Sequence, residues 1–204
     1  MKKKLINVKI VIPDAGILIS LAHGDLLHLL LEFAKDVHIV TTDIVEFEVT
    51  RRSDLFDAKK IADFLAKNKD RIIIESTAYT DLLKIFKSNP SVNIPDDIGE
   101  TSIYGLVNNI RSDAPSIPTL VLFEDNWFTR NELGTRPTMV HLVSLVSFLK
   151  YAEQVIPDFS FNEGIAKITN TRPGVNLTHI DSQGKNAATQ EATLWKPTFG
   201  RHFK

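Results

Sequence analysis

Residues Lys9 to Ile19 read KIVIPDAGILI and join the first predicted strand to the first predicted helix. The first five of them, rich in β-branched side chains, predict a short strand. The apolar run ILISLAHGDLLHLLLEFAK at 17–35 predicts a helical stretch. Asp14 stands between the two, so we expect it at the carboxyl end of the first strand.

After this first strand and helix, predicted strands and helices continue to alternate to about residue 168. Short apolar runs predict three more strands, at Val37–Val40, Arg71–Ile74 and Thr119–Phe123. Helical spacing covers the segments between and after them, at about 42–52, 54–67, 79–87, 98–111, 139–155 and 159–168. Strands that alternate with helices favour an α/β fold, a three-layer α/β/α sandwich with a short parallel sheet.

Composition limits the class of protein. The chain has 204 residues, of which 43% are apolar, enough for one domain with a real core. It has no cysteine, which excludes disulfides and thiolate zinc sites and is typical of a reducing compartment. No apolar run reaches the roughly 18 residues of a membrane helix, and Lys9 and Asp14 interrupt the apolar start that mimics a signal peptide. We therefore expect a cytoplasmic protein that has no membrane partner.

The net charge of −1 conceals two opposed segments. Residues 164–204 carry six basic and two acidic side chains, a net of +4, which leaves −5 for residues 1–163. From about residue 170 the sequence is polar, rich in Gly, Pro, Asn and Thr, and without periodicity. We predict a domain at 1–163 and a basic, irregular C-terminal tail or arm at 164–204.

Acidic residues directly follow two of the predicted strands. Asp14 follows the first, and Glu124 and Asp125 follow the fourth. Ligands of open parallel sheets bind outside the carboxyl ends of the strands, so these acids converge if the two strands are neighbours. The alternative for Asp14 is that it caps the helix after it.

Two further acids lie on the apolar faces of predicted helices. With Ile44 at 0°, Glu48 falls at about 40°, inside the apolar face, whereas Glu46 falls at about 200°. Glu46 fits a capping box with Asp43. A carboxylate on a buried face is costly unless it is paired or binds a metal. The alternative for Glu48 is an ion pair with Arg52, four residues on.

Glu100 lies in line with the apolar stripe of the helix at 98–111, in its first turn. The alternative is again structural, because Asp97 and Glu100 have the spacing of a capping box and we assign Asp97 to the N-cap. Gly99 is unusual for a simple cap. It would suit close approach of the backbone to a ligand.

If the first and fourth strands are neighbours, these positions bring four acids together around one crevice: Asp14, Glu48, Glu100 and one acid of the pair Glu124 and Asp125. Carboxylate oxygens are the ligands that hard cations such as Mg²⁺ or Mn²⁺ prefer. Such cations catalyse phosphodiester hydrolysis without a covalent enzyme intermediate. The pattern predicts metal-dependent phosphodiester hydrolysis, with these four residues as catalytic residues and metal ligands.

Four short motifs, in order and spacing, resemble those of PIN-domain nucleases. In that family an Asp follows the first strand, a Glu lies in the helix after the second, an acid opens a later helix and an Asp closes the fourth strand. The matching segments are 13–19, 44–49, 99–103 and 122–126, which carry Asp14, Glu48, Glu100 and Asp125. The resemblance covers about residues 9–150.

The resemblance implies a ribonuclease similar to the VapC-like toxins, which cleave RNA with Mg²⁺ or Mn²⁺, usually form homodimers and are inhibited by a protein antitoxin. One departure is Phe123, where the family often has Thr or Ser two residues before the last Asp. Glu124 either compensates for that loss or is simply exposed. The alternative is a catalytically degenerate PIN-like module that binds RNA or protein.

Overall fold

The computed structural model describes residues 9–89, 91–93, 95–114, 116–124, 127, 140–172 and 175. The five described strands are β1 (Ile10–Pro13), β2 (His38–Thr42), β3 (Ile72–Glu75), β4 (Thr119–Phe123) and β5 (Val140–Ser144). They pair in parallel in the order β3-β2-β1-β4-β5. The described helices are α1 (Ala15–His23), α2 (His28–Phe33), α3 (Asp43–Thr50), α4 (Phe56–Lys67), α5 (Thr80–Ser88), α6 (Ile98–Asp113), α7 (Leu145–Val155) and α8 (Phe161–Thr171). The predicted three-layer α/β/α sandwich is confirmed.

The strand order changes direction between β1 and β4, the two strands after which we expected the acids to converge. From β1 the sheet grows to β2 and β3 on one side and to β4 and β5 on the other. Ile10 pairs with Thr119 and Pro13 with Leu122, so the two strands end side by side. Such a reversal of strand order is where open α/β sheets bind ligands.

The centre of the sheet is buried on both faces, which explains its continuous apolar sequence. Val11 and Ile12 of β1 and Leu120 and Leu122 of β4 have no exposed surface. Strands covered by helices on both faces need apolar residues at every position rather than at alternate ones. Among the described helices, none combines the length and the apolar character needed to cross a membrane.

Two predicted helices are divided in the structure. The predicted helix at 139–155 is wrong in its first part: Val140–Ser144 is β5, and the Ser144 hydroxyl then accepts the backbone N–H of Ser147 to begin α7. A fully buried strand and a buried helix look alike in an apolar run. The stretch at 17–35 likewise forms α1 and α2, separated by a turn in which Asp25 has a φ of 58°.

The folded body extends beyond the boundary that the sequence predicted at residue 163. Helix α8 runs through that boundary to Thr171, and Ile168 is fully buried in the core. Val175 also packs against the core. Residues 164–172 are therefore part of the body, not of an irregular tail. The remainder of the predicted tail, residues 173, 174 and 176–204, lies outside the described residues.

Candidate functional site

Asp14 joins the two central strands at their carboxyl ends. Its side chain is 2% exposed, and Oδ1 accepts the backbone N–H of Ile17 at 2.6 Å. The capping role considered for Asp14 is therefore real. The second oxygen, Oδ2, accepts the backbone N–H of Glu124 at 3.1 Å, directly after β4. A helix cap needs one oxygen, so the second contact fixes the carboxylate across the β1–β4 boundary as well.

The surroundings of Asp14 disfavour its charged form. Burial raises the pKa of the Asp14 carboxyl to about 8, and the negative charges of Glu124 and Glu100 act in the same direction. The two backbone N–H groups lower it, but by less than burial raises it. A shift of this size is typical of functional sites, although it also occurs in structural networks.

Glu48 has the same kind of environment from the side of α3. It is half-buried, and burial followed by the charge of Glu100 raises its pKa to about 7. Arg51 and the backbone N–H of Gly99 oppose that rise. The alternative pairing with Arg52 is wrong, because Arg52 binds Asp54 instead, at 3.1 Å.

Gly99 makes room for the Glu48 carboxylate. A β-carbon added at residue 99 would lie 2.2 Å from Glu48 Oε2 and 2.9 Å from Glu48 Cδ. We expected this glycine to let the backbone approach a ligand. The close approach is instead to a side chain of the site itself, across the contact between α3 and α6.

Both predicted capping boxes are absent. At the start of α3 the cap is Thr42, whose hydroxyl accepts the N–H of Val45, while Asp43 accepts hydrogen bonds from Thr77 and Thr80. Thr42 has the extended backbone that an N-cap requires, with a ψ of 155°.

At the start of α6, Asp97 occupies the N-cap position, as assigned, but its side chain makes no capping hydrogen bond. Its ψ of 22° is far from the extended value that lets a side chain reach back to the helix. Asp97 therefore does not supply its half of a capping box with Glu100. Glu100 is half-buried, and its charge raises the pKa of both Asp14 and Glu48.

Two buried hydroxyls below the acids were missed by the sequence analysis. Thr42 Oγ1 and Ser102 Oγ lie 2.7 Å apart, and Ser102 donates to the carbonyl of Gly99 at 2.6 Å. Both side chains have no exposed surface. They tie the start of α3 to the start of α6, which carry Glu48 and Glu100. The sequence offers no periodic signal for a contact between two residues that are 60 positions apart.

Glu124 is neither exposed nor directed at solvent. Its side chain is 12% exposed, receives a hydrogen bond from Ser20 at 2.5 Å and forms an ion pair with Arg172 at 2.5 Å. Arg172 also donates to Ser20. The end of α8 is thereby fixed beside the crevice. Sequence reasoning missed Ser20 and Arg172, because no periodicity relates residues so far apart in the chain.

The structure thus relates three of the four predicted acids through their electrostatic effects. Glu100 acts on Asp14 and on Glu48, and Phe123 is buried in β4 as an apolar residue. Asp125, the fourth, lies outside the described residues. Within the described part of the chain, no three acidic or histidine side chains are close enough together to form a metal-binding group.

Comparison with known proteins identifies no relative. The chain matches no protein family, no curated protein and no solved structure. The grounds for a function are therefore the crevice itself and the four sequence motifs.

Proposed function

We propose that this protein is a metal-dependent ribonuclease that hydrolyses RNA phosphodiester bonds at the crevice between β1 and β4. One observation carries the proposal: the carboxyls at the end of β1 and in α3 are both within reach of the charge of Glu100 at the start of α6. Burial raises the pKa of Asp14 and of Glu48, and the charge of Glu100 adds to each rise. Burial and like charge oppose the ionisation of these carboxyls, and a bound cation would offset both effects.

The chemistry of the donor set, rather than the spacing of its described members, fits a hard divalent cation. Asp14, Glu48, Glu100 and Asp125 would supply carboxylate oxygens to Mg²⁺ or Mn²⁺. When bound, such a cation supplies Lewis-acid chemistry: it withdraws charge from a phosphate and makes a water molecule more acidic. The fit is supported by the burial of Asp14 and by the space that Gly99 leaves for Glu48.

The chain's own groups orient the carboxylates before any ligand arrives. The N–H groups of Ile17 and Glu124 hold Asp14 by both of its oxygens. Gly99 lets the Glu48 carboxylate lie against the start of α6. With pKa values of about 8 and about 7, Asp14 and Glu48 must release protons when they bind a cation near neutral pH.

We infer RNA as the substrate, and the partners of the protein, from the resemblance to PIN-domain nucleases. Single-stranded or looped RNA has a backbone that can enter a narrow crevice. By the same resemblance we propose a homodimer, control by a protein antitoxin and action in the cytoplasm, to which the absence of cysteine adds support.

The test compares RNA cleavage by the wild type, Asp14→Asn and Glu48→Gln on a panel of RNAs with Mn²⁺. Asp113→Asn is the matched control, since Asp113 is an exposed acid at the far end of the helix that carries Glu100. We expect cleavage by the wild type and the control only. Equal cleavage by all four proteins, or no cleavage by a wild type that binds Mn²⁺, contradicts the proposal.

A second candidate function is favoured by the apolar side chain of Phe123 and by the ion pair and hydrogen bond of Glu124. Phe123 offers no hydroxyl at the end of β4, and Glu124 is already bound to Arg172 and Ser20. Both features suit a catalytically degenerate PIN-like module that binds RNA or protein. Calorimetric titration with Mn²⁺ separates the two functions: a catalytic site predicts binding that Glu100→Ala abolishes, and a degenerate site predicts no specific binding.

A further inference from the structure

A cavity of about 600 Å³ lies beside the crevice, between α3 and α5 and the loop after α5. Its walls combine cationic and aromatic side chains. The main lining residues are Phe47, Arg51, Arg52, Phe86, Lys87 and Asn93. Phe86 is a buried wall and Phe47 a half-buried one, whereas the three basic side chains and Asn93 are exposed.

The cavity adjoins the proposed site through α3. Phe47 directly precedes Glu48, and Arg51, the C-cap residue of α3, follows Glu48 by three positions and has helical backbone angles. Residues three apart on a helix are surface neighbours, and the charge of Arg51 reaches the Glu48 carboxyl. A chain molecule bound at Glu48 can therefore extend into this cavity along α3.

Within the described structure, only part of the positive charge that lines the cavity is neutralised by ion pairs. Arg52 pairs with Asp54, but Arg51 and Lys87 form no ion pair with any described residue. The Lys87 ammonium lies 5.7 Å from the centre of the Phe47 ring. At an exposed position such a cation–π contact is weak, and a stacked nucleobase would replace it at a net gain.

We propose that this cavity binds the RNA nucleotide next to the scissile bond. The base stacks on Phe47 against the Phe86 wall, its edge meets the Asn93 amide, and its phosphates meet Arg51 and Lys87. The inference rests on the proposed ribonuclease function. An acidic peptide would satisfy the cations but not the rings, and an apolar ligand would leave the cations without partners.

The test measures binding without cleavage. Fluorescence anisotropy of a labelled single-stranded RNA oligonucleotide is followed in EDTA, over a range of salt concentrations, for the wild type, Phe47→Leu and Lys87→Gln. Lys84→Gln is the matched control, since Lys84 is exposed one turn earlier on α5 and pairs with Asp81. Thermal melts first establish that each variant is folded.

We expect Phe47→Leu to weaken binding about tenfold with little change in salt dependence, because it removes a stacking surface. Lys87→Gln should weaken binding and reduce the salt slope by about one, as loss of one phosphate contact does. Lys84→Gln should bind as the wild type does. Unchanged affinity in the first two variants, or an equal loss in the control, overturns the inference.

Competition identifies the occupant. A single strand of RNA should displace the labelled oligonucleotide at concentrations at which AMP and a glutamate-rich peptide do not. Equal displacement by AMP indicates a mononucleotide site, and displacement by the peptide indicates an acidic protein partner, so either result overturns the inference. A wild type that binds RNA through this cavity but never cleaves it contradicts the proposed function alone.

Discussion

Gly99 and Glu48 share one small volume at the contact between α3 and α6. The carboxylate occupies the space in which a β-carbon of residue 99 would lie, 2.2 Å from the position of Oε2. The contact fixes Glu48 against the first turn of the helix that carries Glu100, and it does so with backbone rather than with a side chain. The position of an acid in the crevice therefore depends on the absence of a side chain elsewhere.

Gly99→Ala should displace Glu48 and destabilise the protein only slightly. A methyl group there must push the carboxylate aside, and because the clashing atoms are the end of a flexible side chain we expect a cost of at most about 1 kcal/mol, the low end of overpacking. We expect the same substitution to cost much less in a Glu48→Ala background, where the space is free. Urea unfolding of the four proteins gives the coupling between the two positions as a double-mutant cycle.

The control for that cycle is Gly105→Ala. Gly105 is on the same helix, and an added β-carbon would meet nothing within 4 Å. It should be neutral or stabilising, since alanine favours helix over glycine. A cost of Gly99→Ala that is the same with and without the Glu48 side chain would place the clash elsewhere.

Burial of Asp14 and Glu48 predicts how stability depends on pH. Their pKa values rise from 3.8 to about 8 and from 4.5 to about 7 on folding, so the folded chain binds more protons than the unfolded chain in this range. The free energy of unfolding should therefore decrease as pH increases from about 4 to about 8. Thermal melts of the cation-free protein across that range measure it.

Glu48→Gln supplies the comparison, because it cannot ionise. The pH dependence of the melting temperature in this variant should be shallower than in the wild type between about pH 4.5 and pH 7, the interval between the unfolded and folded pKa values of Glu48. If the melting temperatures of the two proteins change in parallel with pH, folding does not raise the pKa of the Glu48 carboxyl, and the prediction is wrong.

Local sequence correctly predicted strands and helices wherever the apolar residues followed one clear pattern, that of a strand or that of a helix. The run before Asp14 and the run before Glu124 are short, apolar and bounded, and both form strands that end beside each other as expected. The segment at 139–155 misled because every position of β5 is buried, so neither period is visible in it.

The residues of the candidate site also differ in whether nearby sequence predicts them. Asp14, Glu48 and Glu100 could be found from strand ends and helix angles, which depend on residues close in sequence. Arg172 could not, because its partner Glu124 is 48 residues away and the packing of α8 on α1 and α7 brings them together. The capping boxes failed because backbone angles decide whether a spacing becomes a hydrogen bond.

Arg172→Met should destabilise the body. It retains much of the aliphatic packing but removes the guanidinium that pairs with the Glu124 carboxylate, which is 12% exposed. Removing one partner of a largely buried pair costs about 3 kcal/mol. Chemical denaturation measures the change. Arg52→Met breaks an exposed pair with Asp54 and should leave the midpoint unchanged; equal effects of the two substitutions would show that Arg172 contributes only surface charge.

Deletion of residues 176–204 should separate the tail from the body. The deletion retains Arg172 and Val175, which contact the described structure, and removes four basic and two acidic side chains. We expect an unchanged melting temperature and weaker RNA binding, with the loss larger at low salt because phosphate contacts release counterions. Deletion from residue 172 onward removes the cation of Glu124 and should lower the melting temperature as well. If the shorter deletion alone unfolds the body, the segment is structural, and its positive charge would not be a phosphate contact.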